Sequence, residues 1–113
     1  MLQFINPQEI APFTPPGHEN QSVRFLAKKE NAKHLMVGLG QLDPGGMAEL
    51  HRHETSEQFY YILKGRVVIT EEGRNTTITE GTAVMIGVNE LHGMINESGE
   101  TVYYLAVTAP QMD

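Results

Sequence analysis

Residues 51–65 read HRHETSEQFYYILKG. Two histidines one residue apart precede an acid, an amide and a run of bulky apolar residues closed by a glycine. In an extended chain residues i and i+2 project to the same side. His51 and His53 would therefore stand side by side, at a spacing that lets two imidazoles chelate one ion. The same alternation puts Gln58, Tyr60 and Ile62 on one face of the next strand and Glu57, Phe59, Tyr61 and Leu63 on the other. A His-x-His pair alone also occurs among surface or hydrogen-bonded histidines, so its surroundings decide its reading.

Short segments rich in Val, Ile, Tyr, Phe and Thr fill the chain from residue 21, as β-structure favours. The candidate strands are 21–27, 33–42, 47–53, 57–64, 66–71, 75–79, 82–86, 91–96 and 101–108. Turn signals separate them: DPGG at 43–46, KG at 64–65, EEGRN at 71–75, EG at 80–81 and NESGE at 96–100. Many short strands at close spacing predict an all-β sandwich or barrel. Residues 1–20 hold Pro7, Pro12, Pro15 and Pro16 and read as an N-terminal arm with at most one short strand, LQFI. Residues 21–113 then form the barrel. His18 falls in the arm and has no role in this reading.

At 113 residues the chain suggests one domain with a single core. Its net charge is −6 and its eight basic residues are scattered, which argues against a nucleic-acid partner. The longest apolar run, VYYLAV at 102–107, is too short to span a bilayer, and MLQFINPQEI has no signal-peptide pattern. No cysteine is present, so disulfides, thiolate ligands and a Cys nucleophile are excluded and a cytoplasmic location is expected.

The spacing around the histidines carries more. Gly45, five residues, His51, one, His53, four, Gln58, six, Gly65 is followed by Gly81, five, Gly87, then Asn89, two, His92, three, Asn96. This resembles the two motifs of the cupin superfamily, G-x5-H-x-H-x3,4-E-x6-G and G-x5-P-x-G-x2-H-x3-N. The resemblance spans residues 45–96. It implies a compact antiparallel double-stranded β-helix, the jelly-roll cupin barrel. It also implies one divalent transition metal held by His51, His53, a residue of the next strand and His92, with Tyr60, Ile62 and Met94 lining the pocket.

Three positions depart from that pattern. Gly87 and Asn89 replace Pro and Gly, and Asn tolerates the left-handed turn that Gly usually makes. The third is the consensus Glu. The count to Gly65 gives Gln58; Glu57 is the alternative and leaves seven residues before the glycine. Gln58 is preferred because a slip of strand register turns every side chain to the other face.

Three imidazoles and an amide leave the full charge on the ion, which favours an anionic ligand and Lewis-acid chemistry over oxidation. Nitrogen and oxygen ligation fits Mn, Fe, Ni, Co or Zn. The same ligand spacing resembles that of small cupins acting on unsaturated uronic acids, which carry an acid on the last inner strand. Here that strand, TVYYLAVTAP at 101–110, holds no Asp or Glu, leaving Tyr103, Tyr104 and His34 as candidates for proton transfer. The expected function is a metal-dependent enzyme on a sugar acid or other carboxylate, of isomerase or lyase type rather than dioxygenase. The alternative is a binding module that holds such a molecule without turnover. A homodimer is expected, through the arm and the Phe59, Tyr61 and Leu63 face.

Overall fold

The computed structural model describes residues 1–112. Eight strands follow a single 3-10 turn at Pro7–Glu9: β1 (His18–Ala27), β2 (Met36–His51), β3 (Glu57–Lys64), β4 (Arg66–Glu71), β5 (Arg74–Thr79), β6 (Ala83–Ile86), β7 (His92–Ile95) and β8 (Val102–Ala109). Every pairing is antiparallel, in the order β5-β4-β7-β2-β8-β3-β6, with β1 on β2. The sheet curls into a jelly-roll barrel around Leu42, Ile62, Val67, Ile69, Met94 and Val102. Among the described residues no helix is long and apolar enough to cross a membrane.

The expected turn at 43–46 does not divide two strands. β2 runs through it as one 16-residue strand. Its first part pairs with β1 and β8, and its last part with β7. The DPGG residues are instead a bulge: β1 pairs Glu19 with Met47 and then Gln21 with Leu42, so four residues of β2 face one of β1. A bulge bends the strand and lets one strand serve both halves of a barrel. Gly45 supplies the left-handed backbone there, at φ +78°, and Asn20 opposite takes φ +48°.

β2 also starts at Met36, three residues later than expected at 33, which leaves His34 exposed in the preceding loop. In the arm, LQFI forms no strand. The arm is pinned further on, where Phe13 and Val23 exchange backbone hydrogen bonds of 2.9 and 2.8 Å. β3 alternates as expected: Gln58, Tyr60 and Ile62 are buried, while Glu57, Tyr61 and Leu63 are exposed and Phe59 is half-buried.

Candidate metal centre

His51 ends β2 and lies opposite His92, which begins β7. His53 stands two residues past the end of β2, in the loop, rather than within an expected strand 47–53. A backbone hydrogen bond from Asn89 N to His53 O (2.8 Å) ties that loop to the turn before β7. Asn89 sits at φ +68°, the left-handed conformation expected of a residue in the glycine position. The three rings converge, with centroids 4.9 Å apart for His51 and His53, which meet edge to face, and 4.3 Å for His51 and His92 and 5.2 Å for His53 and His92, which are tilted. One ring nitrogen from each lies within 4.8 Å of the others.

Two of these rings have fixed tautomers. The Nδ1–H of His51 donates to the Glu49 carbonyl (2.7 Å) and that of His92 to the Glu90 carbonyl (2.9 Å). Backbone partners of this kind orient metal-binding imidazoles and leave the other nitrogen with a lone pair. Gln58 projects from β3 into the same space. Its Oε1 is 3.1 Å from His53 Nε2 and 3.0 Å from His92 Nε2, and it accepts a hydrogen bond from the Tyr60 hydroxyl (3.0 Å). Its Nε2 donates to Thr108 Oγ1 (3.1 Å), which fixes the amide with its oxygen toward the histidines.

The donor set passes a chemical test for a cation. The neutral Nε2 of His92 and the Gln58 oxygen are both acceptors, and they face each other with no hydrogen between them. Protonating the imidazoles would relieve this, but burial opposes it. His92 is pulled down to about pKa 4 by burial, with the neighbouring histidines adding to the effect against the Glu90 carbonyl. His53 is lowered by burial and by His51, partly offset by Gln58. A divalent ion among the acceptors satisfies all of them, and nitrogen and oxygen donors without sulfur suit a first-row transition metal.

Residues 38–108 match the family model described as the cupin domain. This chain belongs to the cupins. An oxalate-binding protein of Thermotoga maritima is 29% identical to this cupin over 105 residues, 91% of this chain and 86% of the relative. A predicted oxalate decarboxylase from Thermotoga maritima, 26% identical, has a TM-score of 0.85 over 96% of this chain and 99% of its own. The polyketide cyclase RemF from Streptomyces resistomycificus reaches 0.88 at 23% identity, over 98% and 81%, a likeness of fold.

A cavity of about 260 Å³ opens above the histidines of this cupin. Tyr60 lines it as expected, but Ile62 and Met94 do not: both lie almost fully buried in the core beneath. Of the candidates for proton transfer, Tyr104 faces the cavity and Tyr103 faces outward, because adjacent strand residues take opposite sides. The exposed loop position of His34 takes it away from the cavity.

His18 enters instead, with its ring centroid 5.7 Å from that of His51. Its Nδ1 bonds Gln21 Oε1, and Gln21 Nε2 donates to the Tyr104 hydroxyl. His18 belongs to β1, not to the arm. The bulge at Asn20 reverses the alternation, so His18 and Gln21, an odd number of residues apart, both face the cavity. The run HENQSVRF was the signal, but simple alternation from Val23 puts His18 on the wrong face.

Burial also holds the two inward phenols protonated. It pushes Tyr104 up to about 12, against the Gln21 hydrogen bond, and raises Tyr60 further, with help from Tyr104. The unfolded chain loses these protons from about pH 10. A folded pKa above the unfolded one gives stability that is complete below pH 10 and is lost as the pH rises toward 12. The urea midpoint should therefore fall steadily between pH 10 and pH 12, and a Tyr104→Phe variant should show a shallower fall.

Proposed function

We propose that this cupin holds one divalent transition metal through His51, His53, Gln58 and His92, and that it uses the metal to bind a small organic molecule by carboxylate-type oxygens. The observation that supports this is the convergence of three imidazoles and the Gln58 oxygen, where the Nε2 lone pair of His92 faces that oxygen at 3.0 Å with no proton between them. Mn, Fe, Ni, Co or Zn fits such a set. When bound, such an ion polarises a coordinated carbonyl or carboxylate. Because no ligand is charged, the ion's charge is left for the bound molecule to balance, which favours an anion. The name of the oxalate-binding relative agrees with a carboxylate ligand.

Turnover needs a group that moves a proton at the ligand. The protonated Tyr104 hydroxyl can donate, and the His18 imidazole, held through Gln21, can accept. With these residues, and no charged acid among the described residues that line the cavity, an isomerase or lyase reaction is favoured over dioxygenation. That same oxalate-binding relative favours the second reading, a module that holds its ligand without turnover.

Protein purified without added metal, measured by elemental analysis, tests the site. Oxalate titrated calorimetrically into the metal-loaded protein should give heat that chelator-treated protein does not. A loaded protein deaf to oxalate and to longer carboxylates would remove the ligand assignment.

The cysteine-free composition supports a cytoplasmic location. A homodimer is supported by the exposed apolar residues Phe4, Tyr61, Leu63 and Met85, which are 92%, 38%, 45% and 58% exposed. Sedimentation should give twice the 12.6 kDa chain mass at micromolar concentration, and a Leu63→Glu variant should shift it toward the monomer.

A further inference from the structure

We propose that the ligand is amphiphilic, with one chelating anionic head at the metal and a flat apolar body, aromatic in class, held in a slot beside it. This rests on the metal-site reading and names the ligand class for that site.

The slot is set by strand register. Phe25 of β1 pairs with Gly38 of β2, Gly38 with Ala106 of β8, and Ala106 with Tyr60 of β3. One inner row across four strands thus reads Phe, Gly, Ala, Tyr, with the two smallest residues between two aromatic rings. The adjoining row reads Val23, Gly40, Tyr104, Ile62. There the space above the glycine is already filled, because the Tyr104 ring lies directly on Gly40. Directly above Gly38 the Val23 methyl lies 2.6 Å and the Phe25 ring edge 3.6 Å from a notional Cβ, so the slot is walled on that side by apolar edges and opens between them, Ala106 and Tyr60. The row on the other side carries Met36, Thr108 and Gln58, so the slot lies next to a proposed metal ligand.

The lining chemistry agrees. The polar side chains of the cavity form two hydrogen-bonded groups beside the histidines, one through Gln58 to Tyr60 and Thr108 and one through Gln21 from His18 to Tyr104. The remaining side chains are apolar, among them Phe13, Val23, Phe25, Met36 and Met112. Phe13 of the arm and Phe25 of β1 pack with ring centroids 6.2 Å apart, tilted by 44°, and both line the cavity. Among the described residues no Lys, Arg, Asp or Glu lines the space. A sugar acid would leave hydroxyls without partners against this wall, each a cost. A second carboxylate away from the ion would be uncompensated. A flat apolar body instead gains by burial and by ring contacts.

The test uses 1-hydroxy-2-naphthoate as probe, with oxalate and galacturonate as comparators, titrated into Zn(II)-loaded and chelator-treated protein. The naphthoate should bind the loaded protein at least about tenfold more tightly than either comparator. Phe25→Ser should weaken naphthoate binding by about tenfold while leaving zinc content and oxalate binding unchanged. Ala106→Val, which narrows the slot from the opposite side, should act in the same direction.

A loaded protein that prefers oxalate or galacturonate would overturn this proposal and leave the metal site standing. So would equal naphthoate binding to both variants and wild type, or to metal-free protein. Failure to take up zinc would overturn the metal reading and the ligand class with it.

Discussion

His51→Ala/His53→Ala protein should come through purification with its metal content at background, while the wild type holds close to one ion per chain. Two of the four acceptors are removed, and their partners at Gln58 and His92 cannot hold a hydrated ion alone. Loss of even an outer hydrogen-bond partner of a metal-binding imidazole costs about 10–100-fold in affinity, so loss of two direct donors goes well beyond that. The fold should survive, because His51 is only half-buried at the end of β2 and His53 lies in a loop. A circular dichroism spectrum like that of the wild type, beside absent metal in elemental analysis, is the expected pair of results. The fourth position is tested alongside. Gln58→Ala should lower occupancy and Glu57→Ala should not, since Gln58 faces the histidines at 3.0–3.1 Å and Glu57 is exposed on the opposite face of β3. Reduced occupancy in the Glu57 variant alone would transfer the role.

Gly93→Ala should be strongly destabilising. A Cβ there would lie 2.6 Å from the Ala48 carbonyl oxygen and 2.6 Å from Thr70 Oγ1, with Glu49 backbone at 3.2 Å. Gly93 sits on β7 between β2 and β4, so neither neighbour can retreat without breaking its own ladder. Overpacking against main chain costs about 3 kcal/mol, which for a domain of this size lowers Tm by about 15 °C. Because Gly93 follows His92 directly, the same variant should bind metal less well even where it remains folded. Thermal melts read the first effect, and elemental analysis of protein kept well below its Tm reads the second. A Tm within a few degrees of wild type would show that the strands separate more easily than the geometry implies.

The barrel was legible in the spacing of Gly45, His51, His53, Gln58, Gly65, His92 and Asn96 because those residues occupy register-bound positions. Asn96, for example, is almost fully buried, and its amide bridges the Leu42 and Glu100 carbonyls, so it closes the corner that the bulge at 43–46 opens. Alternation along β3 was legible for the same reason. Alternation failed wherever a bulge intervenes. The register shift between Ala48 and His51 and the one at Asn20 each invert inside and outside for the residues beyond them, and no local propensity marks how many residues a bulge contains. His18 reads as part of the Pro-rich arm, and extending β1 back to it by simple alternation still turns it outward. Tyr103 and Tyr104 were ambiguous because a pair of identical residues carries no phase, and burial decides for Tyr104. Ile62 and Met94 point inward, as the pattern requires, but below the cavity floor, a depth that sequence period does not encode.

The continuity of β2 governs when the barrel can assemble. Its first half needs β8, with Met36 against Thr108, and its second half needs β7, with His51 against His92. β8 also separates β2 from β3, although those two are neighbours along the chain. Chains whose contacts join distant positions fold slowly, on the scale of milliseconds to seconds. A nascent chain that has exposed only residues 1–100 therefore lacks the strand that joins its two central partners, and His51 and His53 wait beside an open edge. Closure comes with β8, so the imidazoles gain their enclosed cavity only after that strand is in place.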